Sequence, residues 1–256
     1  MIDFIKKHLS YADTRNFDID DPLVTILRRK ILKEKRFLHR IYLDWYTLIL
    51  NAFSEDNKPV LEVGSGAGFF SEISLSAITS EVFFLHGVSA ILDSQFLPLA
   101  SSSLGAIVMI DVFHHIPNPR NLLIEANRCL KPKGRMVMIE PWVNPWSKLV
   151  YTYLHHEPFD DKAVEWSFPP QGHLSGANGA LAWLIFERDV KQFRGEFPNL
   201  RIRMIKPMMP FCYLLSGGIS LHNLVPSWSY SFWRWLEKHS PENKIGMFAL
   251  IVLEKQ

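Results

Sequence analysis

Apolar and polar positions divide the chain into three parts. Behind Asp21-Pro22, a helix cap followed by proline at the first helical position, Leu23, Leu27, Ile31, Leu38, Ile41, Trp45 and Leu48 recur at helical spacing. The spacing predicts one or two amphipathic helices over residues 22–53. After a polar break at 54–59, short apolar runs alternate with helical patterns. PVLEV (59–63) reads as a strand, 69–78 as a helix, EVFFLHG (81–87) as a second strand and GAIVMID (105–111) as a buried strand. Residues 119–130 read as a helix, RMVMIE (135–140) as a strand and GMFALIVLE (246–254) as the last strand. Such alternation implies an α/β fold with a mostly parallel sheet and helices on both faces.

Residues 141–245 break the rhythm. They are dense in Trp, Phe, Tyr, Pro and His and carry turn signals such as LSGANGA and LLSGGIS. This block reads as an insertion before the closing strand, a natural place for substrate specificity. The expected divisions are a helical cap (1–53), a ligand-binding core (54–140), the aromatic-rich insertion (141–245) and a closing strand (246–256). The longest uncharged run, 207–233, contains Pro210, Pro226, Gly217, Gly218 and Asn223, so no membrane-spanning helix is expected there. MIDFIKKHLSYADTRN has no continuous apolar run, so no secretory leader is expected.

Composition narrows the function classes. Of 256 residues, 48% are hydrophobic and 21% charged, which supports a real core. The net charge of +2 argues against a dedicated nucleic-acid binder. Cys129 and Cys212 have no partners at metal-ligand spacing, which fits packing roles in a reducing, cytoplasmic compartment. Residues 28–40 hold seven Lys/Arg against one Glu. A solvated helix face is the first reading of that run; a patch for an anionic lipid headgroup or a phosphorylated substrate is the second.

The chemistry concentrates in VLEVGSGAGFF, residues 60–70. A glycine-rich bend from strand to helix lets backbone approach a ligand closely. Gly64, Gly66 and Gly68 give G-x-G-x-G, with Phe69 where a dinucleotide fingerprint needs its third glycine, and no Gly-Lys-Ser/Thr follows. The E-x-G-x-G-x-G form resembles motif I of class I S-adenosylmethionine-dependent methyltransferases. The resemblance runs from Pro59 to Pro141 and includes LPLASSSLGAIVMIDVFHHIPNPRNLLIEANRCLKPKGRMVMIEPW, similar to the small-molecule, quinone methyltransferase-like branch.

That resemblance implies a Rossmann-like sheet with an antiparallel last strand, and S-adenosyl-L-methionine as cofactor. It implies that Glu62 anchors the donor's ammonium, and that the loop of Gly64, Ser65, Gly66, Gly68 and Phe69 packs on its methionine portion and ribose. Asp93 and Ser94 fall where the family contacts adenine. Asp111 falls beside the methionine moiety and the reaction centre; the alternative for it is a loop-stabilising cap. The family's acid at the end of strand two, which binds the ribose hydroxyls, aligns with His86, whose imidazole offers one such hydrogen bond. Only six residues separate His86 from Asp93, too few for a crossover helix, so an extended link or a reduced sheet is expected.

Methyl transfer from sulfonium needs in-line alignment and, for an oxygen nucleophile, removal of a proton. His114 and His115 lie just past the fourth strand, where ligands of open α/β sheets bind, and are the candidate base; a packing role is the alternative. His155-His156-Glu157 forms a second polar cluster, with Glu157 or His156 as a candidate substrate contact. Together with His114 or His115 this cluster offers metal ligands, but adjacent histidines on a strand point to opposite faces, so no metal site is expected. The aromatic residues of the insertion read mainly as core, with FWRWLEK, where Trp233 and Trp235 stand beside Arg234 and Lys238, as the interfacial candidate. The expected activity is methylation of a small or lipid-linked molecule at oxygen or carbon, with no nucleic-acid partner. Peripheral membrane contact falls to the basic N-terminal helix or to 228–238. Two rivals stand beside it: a cofactor-binding protein without catalysis, and a membrane-docked accessory protein of a glycan or lipid pathway.

Overall fold

The computed structural model describes residues 20–53, 57–155, 157–169, 172 and 176–256. The N-terminal stretch, the start of the polar break, His156 and the start of LSGANGA lie outside the described residues. The predicted helical region forms two helices, α1 (Pro22–Glu34) and α2 (Arg36–Asn51). Asp21 caps α1, its carboxylate accepting from the Leu23 N–H at 2.8 Å. The buried face of α2 is Phe37, Leu38, Ile41, Tyr42, Trp45, Tyr46 and Ile49, so the apolar stripe is broader than the aliphatic positions alone marked.

Seven strands form one sheet: β1 (Val60–Val63), β2 (Ala77–Glu81), β3 (Ala90–Ile91), β4 (Leu104–Ile110), β5 (Leu130–Pro141), β6 (Leu200–Met208) and β7 (Phe248–Lys255). Their order is β3-β2-β1-β4-β5-β7-β6. β1 to β5 pair in parallel, and β7 runs antiparallel to both β5 and β6, as expected for the last strand. The central strands are buried on both faces. In β4, Ile107 and Met109 enter one core while Ala106 and Val108 enter the other. Helix α3 (Pro119–Cys129) covers the first face, and α2 covers the second together with α4 (Pro145–Leu154) and α5 (Tyr230–Lys238).

The chain leaves β1 toward β2 and β3, then returns to β4 on the other side of β1. The carboxyl ends of β1, β2 and β4 therefore meet at the point where winding reverses, which is where open α/β sheets bind ligands.

Three sequence expectations need correction. The helix predicted for 69–78 is a single turn, Phe70–Ile73. The second strand is not EVFFLHG but the preceding AITSE. Its polar residues are satisfied by neighbours: Ser80 Oγ donates to the Glu62 carbonyl at 2.7 Å, and Thr79 Oγ1 accepts from the Ser89 N–H at 3.0 Å. EVFFLHG looked like a strand because it is apolar, yet Phe84 in it is 74% exposed. The link from β2 to the two-residue β3 contains no helix, so both the extended link and the reduced third strand are present. The aromatic block is also less separate than expected, because it contributes β6 to the common sheet.

Most of the block's aromatics are core, as Trp142 and Trp166 show. Helix α5 is held to the rest of the block by Glu237, which is fully buried. Its Oε1 accepts from the N–H groups of Phe211 at 2.8 Å and Cys212 at 2.6 Å, and its Oε2 pairs with Arg234. Removing this carboxylate strands two amide donors and leaves Arg234 to Asp44 and Glu242. Glu237→Ala is expected to lower stability by about 3–5 kcal/mol in urea denaturation, and Glu237→Gln by less.

Candidate active site

A cavity of about 530 Å³ opens at the reversal point, within the usual size range for small-molecule sites. Its first wall is the bend after β1. Gly64 (φ +64°) and Gly66 (φ +43°) are left-handed, a conformation that side-chain-bearing residues rarely adopt. The three glycines serve different ends. A Cβ at Gly64 would stand 2.7 Å from both Val112 methyls, and one at Gly68 would stand 2.5 Å from Tyr46 Oη. At Gly66 a Cβ would meet only Glu81 Oε1 at 3.5 Å and the Gly64 carbonyl at 3.6 Å, so this glycine leaves room at the cavity wall.

The bend is fixed from both sides. Gly66 N–H donates to Glu81 Oε1 at 2.8 Å, and the Gly66 carbonyl accepts from Arg29 of α1 at 2.9 Å. Phe69 N–H donates to Tyr46 Oη of α2 at 2.9 Å. Glu62 lies beneath the bend, 6% exposed, with Oε2 buried and without a hydrogen-bond partner. Burial pushes its carboxyl up to about 7, with Ser65 and Arg29 pulling down and Glu81 pushing up. A buried, unpartnered carboxylate oxygen on a cavity wall asks for a donor, and a cationic one most of all.

The opposite wall is built where β4 ends. Asp111 is left-handed (φ +59°), a backbone state that Asp tolerates better than most residues, and it faces the cavity. Among the described residues its carboxylate caps no backbone N–H. The chain then makes a single 3₁₀ turn, Phe113–His115, held by Glu140 at the end of β5. Glu140 is fully buried, and its Oε1 accepts from Val112 N–H at 2.9 Å and Phe113 N–H at 2.8 Å.

His114 lies between two carboxylates, with Nδ1 2.7 Å from Glu140 Oε2 and Nε2 3.3 Å from Glu157 Oε2. Burial would lower its pKa, but the bonds to Glu140 and Glu157 outweigh it and hold the ring well above the usual histidine range. His115 Nδ1 lies 3.1 Å from the Gly176 carbonyl, which can only accept, so Nδ1 carries the proton and Nε2 keeps its lone pair. Burial and the neighbouring His114 push His115 down to about 4. Burial raises Asp111 to about 7, opposed chiefly by His114. Glu157 is held below the ordinary carboxylate range, because the three histidines around it, His114 first, outweigh its burial.

Of the residues singled out from sequence, Glu62, Gly64, Ser65, Gly66, Gly68, Asp93, Ser94, Asp111 and His115 line this one cavity. Three do not. Phe69 is buried beneath the bend, stacked on His39 with centroids 4.4 Å apart. His114 sits behind the wall. His86 is exposed, outside the cavity, with its carbonyl accepting from Arg29. The residue at the end of the second strand is Glu81, which lines the cavity. Sequence reasoning missed Glu81, Tyr46, Arg29 and Glu140. The last had a signal: a lone acid closing RMVMIE, one strand over from the His pair.

A family described as a methyltransferase domain matches residues 34–185, more than half of the chain. No curated protein matches the sequence. The fold is similar to an S-adenosylmethionine-dependent methyltransferase from Thermotoga maritima, described as a possible histamine N-methyltransferase, at 18% identity and TM-score 0.53 over 89% of this chain and 93% of that one. It is similar to geranyl diphosphate C-methyltransferase from Streptomyces coelicolor at 12% identity and TM-score 0.52, over 90% and 84%. It is also similar, at 13% identity and TM-score 0.54 over 93% and 97%, to a chain from the Haloferax volcanii complex of a methyltransferase with the Trm112 activator. At these identities the likeness is one of fold. The chain belongs to the methyltransferase-domain family, and is an enzyme that takes its methyl group from S-adenosyl-L-methionine.

Proposed function

We propose that the cavity moves a methyl group from S-adenosylmethionine to an oxygen or carbon of a small or lipid-linked molecule. The supporting observation is that one cavity holds Glu62, with Oε2 unpartnered, on one wall and Asp111 with His115 on the other. In this reading Glu62 Oε2 takes the donor's ammonium, Glu81 takes the ribose hydroxyls, and Asp93 and Ser94 meet the adenine. The residues fit the group: the orphaned oxygen is matched by a cation, and the space at Gly66 by the methionine portion. When bound, the donor supplies an electrophilic methyl on sulfur. For a hydroxyl acceptor, the oxygen forms the O–CH3 bond as the C–S bond breaks with its electron pair going to sulfur. The acceptor's proton passes to Asp111 or His115.

The substrate class is supported by the cavity's modest volume, which the donor must share, and by the surface. Trp228 (82% exposed), Phe232 (56%) and Trp235 (55%) form an apolar row along α5 and the turn before it. Lys238, also exposed, follows Trp235 by three residues on the same helix. Much of the predicted basic patch is otherwise engaged: Arg29 holds the glycine bend, Lys33 pairs with Glu72 at 2.8 Å, and Lys35 is buried on the carbonyls of Ser216, Gly218 and Leu221. An exposed aromatic row beside a cation suits the membrane interface, which is where a lipid-linked acceptor would be met. Among the described residues no helix is long and apolar enough to cross a membrane. Two neighbours in fold, described as acting on geranyl diphosphate and histamine, also have small-molecule names.

Donor binding is expected to depend on Glu62 and on pH. Glu81, Arg29 and Tyr46 face Glu62 from β2, α1 and α2. Its carboxyl titrates near 7 in the free protein, and an ammonium ligand selects the ionised form, so binding requires a proton to leave at lower pH. Affinity for S-adenosylhomocysteine is expected to fall as pH drops from 8 to 6 and to flatten in Glu62→Gln; a calorimetric profile unchanged by that substitution counts against the assignment. Glu62→Ala is expected to weaken binding by about 1–3 kcal/mol.

The proposed ribose partner gives a paired test. Glu81→Ala is expected to lower affinity by at least tenfold while His86→Ala leaves it unchanged, and the reverse pattern rejects the placement. For the acceptor, cell extracts incubated with enzyme and donor labelled on the methyl are expected to yield labelled small or organic-extractable product. Asp111→Asn is expected to lower kcat with little change in donor affinity. Label confined to nucleic acid would exclude this substrate class. Trp228→Ser with Trp235→Ser is expected to reduce co-sedimentation with anionic vesicles, and unchanged sedimentation would remove the membrane component.

A further inference from the structure

We propose that His114, His115 and Glu157 form a binding site for a divalent transition-metal cation at the reacting end of the cavity. The cation's role rests on the reading above, that the acceptor binds at this end. Adjacent histidines on a strand would diverge, which is why the sequence argued against a metal. They do not lie on a strand. In the 3₁₀ turn the two rings stand side by side, centroids 4.2 Å apart and tilted by 40°.

Both Nε2 atoms face one carboxylate, His114 at 3.3 Å from Glu157 Oε2 and His115 at 3.7 Å from Oε1. One ligand atom from each of the three residues can be chosen so that all lie within 4.8 Å of one another. A cation with ligands at about 2.0–2.2 Å keeps neighbouring donor atoms roughly 3.0–3.6 Å apart. The His114–Glu157 pair already has that spacing, and His115 Nε2 stands 3.7 Å from the same carboxylate.

The far side of each ring gives a second, independent indication. Metal-binding histidines usually donate their other N–H to a carboxylate or backbone carbonyl, which fixes tautomer and orientation. Here His114 Nδ1 meets Glu140 Oε2 at 2.7 Å, and His115 Nδ1 meets the Gly176 carbonyl at 3.1 Å. Glu140 is itself locked by the amides of the turn, so the rings are oriented before any ligand arrives. Two imidazoles and one carboxylate suit Zn²⁺, Fe²⁺ or Co²⁺ better than Mg²⁺ or Ca²⁺. Three protein ligands leave positions open, and His115 and Glu157 both line the cavity, so those positions face the acceptor.

With the cation bound, His115 is a ligand and Asp111 alone accepts the proton. The cation would polarise an acceptor hydroxyl, whose O–H proton would pass to the Asp111 carboxylate with the electron pair left on oxygen. That oxygen then forms the O–CH3 bond as the C–S bond electrons go to sulfur.

The test is titration of chelator-treated protein with Co²⁺, followed by visible absorption, and with Zn²⁺, followed by calorimetry. Wild type is expected to bind a single cation per chain with a Co²⁺ ligand-field band. His115→Ala and Glu157→Gln are expected to lose it, and His86→Ala to keep it. Glu140→Gln, a change in a positioning residue, is expected to weaken binding about 10–100-fold and shift the band. Affinity for S-adenosylhomocysteine, measured on each variant, reports an intact fold and is expected to be unchanged. If His115→Ala loses it, the near-isosteric Glu157→Gln decides. Wild type that binds neither cation, or variants that bind as well as wild type, overturns the metal site and leaves the donor assignment standing. Cation binding without any S-adenosylhomocysteine binding has the opposite meaning.

Discussion

A carboxylate kept out of water with one oxygen unmatched is costly for a fold to retain, and Glu62 is that group. It ends the first strand, under a bend that is almost bare of side chains, and much of the neighbouring structure accommodates it. Ser65 hydrogen-bonds to it, Arg29 reaches from the N-terminal helix to the carbonyl above it, and Glu81 holds the same amide bend from the next strand. Two left-handed glycines keep the bend open beside that oxygen, which leaves room for a close-lying, cationic ligand. The N-terminal helices are thereby part of the site and not a separate cap, since Arg29 and Tyr46 fix the bend from outside the sheet.

The other wall follows a different logic, in which His114 is hydrogen-bonded to a carboxylate on each side. Glu140 uses four contacts to hold the turn after β4 and to orient His114, and Glu157 completes the pairing from the aromatic block. A charged, satisfied network of this kind is rigid because each buried group depends on its partners. The block thus contributes both a strand to the sheet and an acid to the reacting end of the cavity, so acceptor chemistry and donor binding are joined through one continuous core.

Much of this was legible in the sequence, for reasons that can be named. Buried parallel strands such as 105–111 read clearly because both faces are apolar, and the glycine bend read clearly because few structures need alternating glycines after an acid. β2 was misread because its sequence, AITSE, is hydroxyl-rich, and its hydroxyls are matched by Glu62 and Ser89, which lie elsewhere in the chain. That single slip is why the sequence pointed to His86 and not to Glu81 at the end of the second strand. β6 was hidden for a related reason: LRIRMIKPM is a half-exposed edge strand whose charged residues face outward, and nothing local distinguishes it from loop. The His pair was identified but its geometry was not, because a 3₁₀ turn set by Glu140 cannot be inferred from two adjacent imidazoles.

The central claim is that the donor lies on the bare bend with its amino group on Glu62. A crystal structure of the protein with S-adenosylhomocysteine tests it most directly. The account expects the ligand's amino nitrogen at hydrogen-bonding distance, about 2.7–3.2 Å, from Glu62 Oε2, with the ribose hydroxyls on Glu81. A ligand bound elsewhere, or a Glu62 oxygen that stays unpaired or is met by the protein's own side chains in the complex, would contradict it.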